Sequence, residues 1–414
     1  MEWKKVPISS ICEGIYEGPH ATPPSCESGA YYLGIPALTS DGQIDFSKVP
    51  RICEKDYKKW TKRVTPKYGD IVFTNEATLN LYARIPMDFY GCLGRRLGLV
   101  RPLQDKVDVD YLFYYFFSPY WRKVIALKKV SGSTVERILM KKFPHFPVLL
   151  PPLNIQNKIA SILSDYDNLI ENNNKRIRLL EQMAENLYKE WFVRFRFPGH
   201  EKTEFENGLP IGWGIKKLGD WGISLESGGR PKGGIDDSLN NGVPSLGAEA
   251  IKGLAEYDYS STKFVPVEFY MQMKRGKNSG NDILLYKDGA YIGKVTLFRD
   301  GFPYDKYSIN EHVFFIAPND VRYKNYLYYT LHQDAFFSLM QNLNRNAAQP
   351  GLSRPDIEKI KIAVPSEDVI IEFNKEVEPM LSCVFKLAKQ NQFLARQRDL
   401  LLPRLMSGKL EVNV

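Results

Sequence analysis

Between residues 155 and 191, apolar side chains recur at Ile155, Ile159, Ile162, Tyr166, Leu169, Leu180, Met183 and Leu187. Steps of four and three mark a helix built to lie along another helix. No proline or glycine interrupts the run, which at ~1.5 Å per residue would extend on the order of 55 Å. Asn173 falls on the stripe, inside Glu171-Asn172-Asn173-Asn174. A second stripe lies between 367 and 402, at Ile370, Phe373, Val377, Met380, Val384, Leu387, Asn391, Leu394, Arg398 and Leu401. Pro379 lies within it and is expected to kink the helix or remove one backbone hydrogen bond, at ~3 kcal/mol if unrelieved. Two rods with matching stripes pair most simply antiparallel. Asn173 and Asn391 are then either register-setting contacts or solvated residues at a frayed seam.

Each rod follows a stretch of mixed character. Short β-type runs such as Asp70-Ile-Val-Phe-Thr74 and Leu97-Gly-Leu-Val100 are punctuated by Gly, Pro and Asp, as strands and turns are. An aromatic helical run from 109 to 118 follows, then a helix from 121 to 127 and a polar loop from 128 to 134. After Trp191 the helical pattern decays, and the turn-rich stretch 199–212 reads as a linker. The order then starts again. Trp3-Lys-Lys-Val answers to Trp213-Gly-Ile-Lys-Lys-Leu, and Gly69-Asp-Ile-Val-Phe-Thr to Asn281-Asp-Ile-Leu-Leu-Tyr. Leu97-Gly-Leu-Val-Arg-Pro102 answers to His312-Val-Phe-Phe-Ile-Ala-Pro318, Tyr111-Leu-Phe-Tyr-Tyr to Tyr326-Leu-Tyr-Tyr-Thr, and Pro151-Pro152 to Pro365. The offset of roughly 210 residues holds throughout, so the architecture repeats although identity is low.

A length of 414 residues suits two or three domains. Hydrophobic content of 43% and charged content of 25% are those of a soluble globular chain. No apolar run reaches the ~18 residues of a membrane span, and the N-terminal sequence has no apolar signal core. The five cysteines stand singly in sequence, as expected in a reducing cytosol. The net charge of +8 alone says little; with 24 tyrosines it fits either a polar recognition surface of the kind that meets nucleic acid or a Tyr-rich composition alone.

Catalytic motifs are missing. Gly293-Lys294 lacks the upstream glycine and following Ser/Thr of a phosphate loop, and the lone Glu2-Trp3-Lys4 triplet has no preceding aspartate for a nuclease site. No amino-methylation motif occurs, and the five histidines have no metal spacing. Basic and amide side chains do recur in loops at equivalent places. In the first half they are Lys62, Arg63, Arg95, Arg96, Lys128, Lys129, Ser131, Ser133 and Thr134. In the second they are Arg230, Lys232, Lys274, Arg275, Lys277, Lys287, Lys294, Asn344, Arg345, Asn346 and Gln349. Lys and Arg neutralise phosphates, while Arg, Asn and Gln can pair with base edges. One such cluster is ordinarily a solvated face; the set, on loops of a duplicated unit, points to DNA contact.

Four strings then carry a resemblance. They are Leu150-Pro-Pro-Leu-Asn-Ile-Gln-Asn-Lys-Ile-Ala-Ser-Ile-Leu-Ser164, Tyr188-Lys-Glu-Trp-Phe-Val193, Asn207-Gly-Leu-Pro-Ile-Gly-Trp213 and Leu400-Leu-Leu-Pro-Arg-Leu-Met-Ser-Gly-Lys-Leu410. Through them the chain resembles, over essentially its full length, the specificity subunit of type I restriction-modification systems. The resemblance implies an α+β fold: two pseudo-repeated mixed α/β target recognition domains joined by two long antiparallel coiled-coil helices. On that plan residues 1–150 and 198–364 are the recognition domains, and 151–197 and 365–414 the helices.

The implied role is non-catalytic: each domain reads one half of an asymmetric bipartite DNA target and the helices act as a ruler for the spacer. No cofactor is expected in this chain, and none of the metals. S-adenosylmethionine would belong to two methyltransferase subunits, and ATP and Mg to up to two restriction/translocase subunits, in a prokaryotic cytoplasm. Asn75-Glu76-Ala77-Thr78 departs from Lys287-Asp288-Gly289-Ala290, which is nearer the family's glycine turn. Other classes stay open at this stage: a protein-interaction scaffold with duplicated domains and a coiled coil, or a fusion carrying its own methylase or nuclease.

Overall fold

Four consecutive apolar or β-branched residues, Ile71-Val-Phe-Thr74, form a strand buried along its whole length, because both faces of its sheet are covered. Ile71 and Phe73 join one hydrophobic cluster and Val72 another, as the alternation of side chains across a strand requires. This pattern organises the computed structural model of the chain, which describes residues 3–130, 135–236, 238–239, 241–343 and 351–412. The chain divides into a first unit, Met1–Leu169 with Leu394–Val414, and a second, Ile170–Phe393.

The first unit holds strands β1 (Lys4–Pro7), β2 (Cys12–Glu17), β3 (Ala30–Leu33), β4 (Arg51–Ile52), β5 (Ile71–Thr74), β6 (Tyr82–Arg84), β7 (Gly91–Leu93), β8 (Leu97–Pro102) and β9 (Pro147–Leu150). Its helices are α1 (Tyr57–Trp60), α2 (Val109–Phe117), α3 (Pro119–Lys128) and the start of α4 (Leu153–Tyr188). One antiparallel sheet runs β2-β8-β5-β6; a second runs β4-β3-β7, with β3 parallel to β7; β1 pairs with β9.

The second unit begins with a hairpin, β10 (Phe205–Glu206) and β11 (Leu209–Pro210). It continues with β12 (Gly214–Lys217), β13 (Ile223–Ser227), β14 (Val243–Leu246), β15 (Lys263–Val265), β16 (Asn281–Tyr286), β17 (Val295–Arg299), β18 (Ser308–Ile309), β19 (Val313–Pro318) and β20 (Lys361–Val364). Its helices are α5 (Leu218–Trp221), α6 (Val267–Gln272), α7 (Lys324–His332), α8 (Asp334–Leu343), α9 (Arg354–Glu358) and most of α10 (Glu367–Leu405). The sheets repeat those of the first unit: β13-β19-β16-β17, then β15-β14-β18 with β14 parallel to β18, and β12 paired with β20. Register repeats as well, since Ile71 faces Val100 and Ile283 faces Ile316.

Each four-stranded sheet packs against a helix that is apolar all round and therefore buried. Tyr111 to Phe116 of α2 are all buried, as are Asn325 to Leu331 of α7. The Asp108 carboxylate caps α2 through the Tyr111 N–H (2.7 Å), and the Ser118 hydroxyl caps α3 through the Trp121 N–H (3.2 Å), with Pro119 at the first helical position. The tyrosine that opens each buried helix ties it to the strand ribbon. Tyr111 donates its hydroxyl to the Leu149 carbonyl (2.8 Å), and Tyr326 does the same to the Ala363 carbonyl.

The long helices carry a correction. Along α4, Leu163, Ile177 and Ala184 are buried, whereas Leu169 and Met183 are 48% and 53% exposed. One half of the stripe read from bulk is therefore revised: Leu163 is buried beside the half-buried Ile162, Ala184 is buried in place of the exposed Met183, and Ile177 is an inward position that the stripe did not include. The other half, Ile159, Asn173 and the half-buried Tyr166, Leu180 and Leu187, stands as read. Small Ala184 is buried, and the bulkier Met183 beside it is exposed. In α10 the stripe Ile370, Phe373, Val377, Val384 and Leu387 is buried, and Pro379 does not interrupt the helix. Pairing is antiparallel. In the second unit Asn173 meets Asn391 while Trp191 meets Phe373 (ring centroids 5.8 Å apart); in the first, Asp167 meets Arg398 (2.5 Å).

Two other expectations are corrected. Cys26 and Cys53, 27 residues apart, form a disulfide; a β-bridge between Cys26 and Arg51 brings their backbones together. The stretch 199–212 is no slack linker, because α4 closes in a π-helical turn at Lys189–Val193 and the chain beyond it folds into the β10–β11 hairpin. Phe195 and Phe197 pack against Trp213. No helix among the described residues is long and apolar enough to cross a membrane.

Candidate nucleic-acid interface

Where β5 ends and β8 begins, three loops of the first unit are sewn together by main-chain hydrogen bonds. The Asn75 N–H donates to the Arg96 carbonyl (3.0 Å), the Ile138 N–H to the Asn75 carbonyl (2.7 Å), and the Ala77 N–H to the Glu136 carbonyl (3.0 Å). The second unit repeats the stitching. The Lys287 N–H donates to the His312 carbonyl (3.0 Å), and the Leu352 N–H to the Lys287 carbonyl (3.0 Å). Asn75 and Lys287 thus occupy one register position, as do Arg96 and His312. The turn after each strand takes a positive φ, at Ala77 (69°) and Gly289 (130°). The first unit therefore holds with alanine a conformation that glycine adopts freely. Close backbone approach also selects glycine at Gly228, where a Cβ would lie 1.6 Å from the Ile309 carbonyl oxygen.

On this frame the basic residues separate by what they touch. In the first unit, Arg63 donates to the Gly18 carbonyl (2.8 Å), Arg96 pairs with Glu76 (3.4 Å), and Lys129 pairs with Glu136. Lys62, Arg95 and Lys128 are exposed and have no ion pair among the described residues. In the second, Arg230 pairs with Glu311 (3.0 Å), and Lys287 reaches the Glu311 carbonyl (3.2 Å) and the Asp288 carboxylate (3.5 Å). Lys274 and Arg275 are exposed beside Gly276, whose N–H donates to Glu226 (3.1 Å). They stand five and four residues before Ser279, as Lys62 and Arg63 stand before Lys67, and the Ser279 and Lys67 N–H groups cap the equivalent Asp282 and Asp70.

Lys232 is exposed. Lys277 turns back to the Met271 carbonyl (3.2 Å) over the Tyr270 ring, and Lys294 lies over Tyr291, itself 56% exposed. Ser131, Ser133, Thr134, Asn344, Arg345, Asn346 and Gln349 lie outside the described residues.

Sequence reading passed over the acidic members. Glu17 accepts from the Asn75 amide (3.3 Å), Glu76 and Glu136 hold Arg96 and Lys129, and Asp288 and Glu311 flank His312 at 3.3 and 3.4 Å. A signal was available for Glu136, Asp288 and Glu311, which stand beside Arg137, Lys287 and His312 in the sequence, but not for Glu17 and Glu76. Surface pairs of this kind contribute ~0–1 kcal/mol, so phosphates or base edges can exchange for either partner at small cost. Among the described residues no group of three or more His, Cys, Asp or Glu side chains is placed to hold a metal.

Asn173 is buried on its seam and donates to Asn391 (2.9 Å) and Gln390 (3.2 Å); Asn391 donates in turn to Asn174 (2.8 Å). The polar break in an apolar stripe is thus a closed amide network.

The duplication is visible in comparisons with known proteins. The family model of the type I restriction modification DNA specificity domain matches residues 1–182 and again 210–373. The MjaIX type I restriction enzyme specificity subunit of Methanocaldococcus jannaschii is 27% identical over 403 residues, covering 94% of this chain and 90% of its own. The putative MjaX specificity subunit of the same organism is 25% identical over 100% of this chain and 94% of its own. The crystal structure of a type I restriction-modification S subunit from M. genitalium shares the fold, with a TM-score of 0.57 at 15% identity, over 98% of this chain and 96% of that one. A repeated frame, matched twice by one family model and along its length by these relatives, places the chain in the type I restriction modification DNA specificity family.

Proposed function

We propose that this chain is the non-catalytic sequence-reading subunit of a type I restriction-modification complex. Each unit reads one half of an asymmetric, bipartite target in double-stranded DNA. Methylating subunits dock on the chain, with S-adenosylmethionine as their methyl donor, and restriction subunits that use ATP and Mg join them; the chemistry resides in those partners. The observation that carries the reading is the duplicated loop cluster: one backbone frame, basic at Lys62-Arg63 and Lys274-Arg275 in the same register, with different side chains around it. Exposed cations supply phosphate contacts, and the divergent loop residues supply base contacts.

Duplex binding by the full chain with its methylating subunits tests this reading. Log K should fall linearly with log salt, by about 0.9 per phosphate neutralised, and the methylated adenines of a host expressing the complex should define one bipartite motif. Salt-independent binding, or methylation without a common motif, would sink the reading and favour a protein-binding scaffold. The paired helices set the spacer in this proposal, so removing one heptad from both α4 and α10 should alter the spacer and leave each half-site sequence unchanged.

A further inference from the structure

The register match between the units singles out one position. Thr74 faces Leu97, and Tyr286 faces Val313, so the residues two places before these partners, Arg95 and Glu311, are equivalent. Both are positioned by main-chain contacts. The Arg95 N–H donates to the Tyr32 hydroxyl (3.0 Å), and the Glu311 carbonyl accepts from Lys287 (3.2 Å) and from the Ser227 hydroxyl (3.3 Å). Their side chains are opposite in charge and in hydrogen-bonding sense. Arg95 is exposed and has no side-chain partner among the described residues. Glu311 turns one carboxylate oxygen to Arg230 (3.0 Å) and His312 (3.4 Å), surface pairs that a base edge can replace, while its Oε2 is buried and accepts no hydrogen bond.

A half-exposed carboxylate held by ion pairs in one unit and an unpaired forked donor in the other are complementary to different base edges. A guanidinium matches the paired acceptors of guanine, and a carboxylate takes the exocyclic amino group of cytosine. We propose that position 95/311 is a specificity-determining position of both units, with Arg95 reading guanine in one half-site and Glu311 reading cytosine in the other. This rests on the DNA-reading function proposed above. It gives that function a source of asymmetry: one frame, one position, opposite donor and acceptor sense.

The test uses the full chain with its methylating subunits, selecting from a randomised duplex library and compared with Glu311→Gln, Glu311→Arg and Arg95→Gln. Glu311→Gln should lower preference at one base pair of one half-site roughly tenfold and leave the other half-site untouched; Arg95→Gln should do the reverse. Glu311→Arg installs the residue that the first unit carries at this position, and should turn the preferred base from cytosine to guanine. Variants that all keep the parental motif, or a variant that weakens both half-sites equally, would overturn the inference while the DNA-reading function stands. A parental chain that selects no bipartite sequence would instead overturn that function.

Discussion

Both units bury an aspartate at the start of the third strand of the large sheet, and they neutralise it differently. In the first, Asp70 lies under the Arg101 guanidinium, with Nε and Nη2 at 2.8 and 2.7 Å, and Arg101 is itself mostly buried. In the second, the place of Arg101 in the strand register is taken by Ala317. Asp282 there accepts from the Ser279 hydroxyl (2.6 Å), the Ser279 N–H (3.0 Å) and the Tyr307 hydroxyl (2.9 Å). A buried carboxylate needs its lone pairs satisfied, and either a cation or a set of neutral donors will do it. The halves of a duplicated protein can therefore diverge in chemistry at a fixed point of the frame, provided each solution is complete.

The largest expected effect breaks one solution and spares the other. Asp70→Asn leaves the Arg101 guanidinium buried without its counter-charge and should destabilise the first unit by ~3–5 kcal/mol. Asp282→Asn loses hydrogen bonds from neutral donors and should cost the second unit ~1–2 kcal/mol. Denaturant unfolding followed by hydrogen exchange resolves the units; equal costs would show that the guanidinium is not the decisive partner.

The seam offers a middle-sized effect. Asn173→Ala removes the donor shared by Gln390 and Asn391 and should cost ~1–3 kcal/mol, measured by denaturant midpoint. A neutral result would mean that the amide network is solvated and sets no register.

The smallest effect depends on pH and contrasts two carboxylates on α4. Asp167, in the first unit, is paired with Arg398. Glu181, in the second, has carboxylates Glu185 and Glu256 for neighbours, with the buried tyrosines Tyr328 and Tyr329 behind it. Burial first, then the two like charges, raise the Glu181 pKa from 4.5 to about 7. Because the folded-state value lies above the unfolded one, ionising Glu181 opposes folding. The penalty is absent below the unfolded value, grows through the window between the two, and is complete above about 7. Glu181→Gln should raise the melting temperature at pH ~8 and lose that advantage towards pH ~5. An increase equal at both pH values would assign the effect to packing.

These contrasts also mark what could be read from sequence. Strands such as Ile71–Thr74 and the aromatic helix Val109–Phe117 announce themselves because burial on both faces leaves no polar alternation. Much of the stripe of α10 was legible because Ile370, Phe373, Val377, Val384 and Leu387 are both bulky and buried, while the buried Leu381, Phe385 and Ala388 lay outside it. On α4 the signal failed at Ala184, a buried residue with too little bulk to mark itself, while the larger Met183 beside it is exposed. The Cys26–Cys53 disulfide gave no local sign, since it depends on strands that meet only in the folded sheet. In the loops, positive charge drew the eye to Arg230 and Lys287, while Glu311 became visible only once strand register aligned it with Arg95.

The first unit has a consequence for the order of assembly on the ribosome. Leu405 and Met406 are fully buried in its core with Ile159 and Leu163, and Trp3 packs against Gly408. Those partners are separated in sequence by the whole of the second unit, 170–393. Synthesis delivers the second unit complete before the residues that finish the first have been translated. The half made first is thus the half finished last, and until then its apolar core carries an open side that a chaperone or a premature neighbour can occupy.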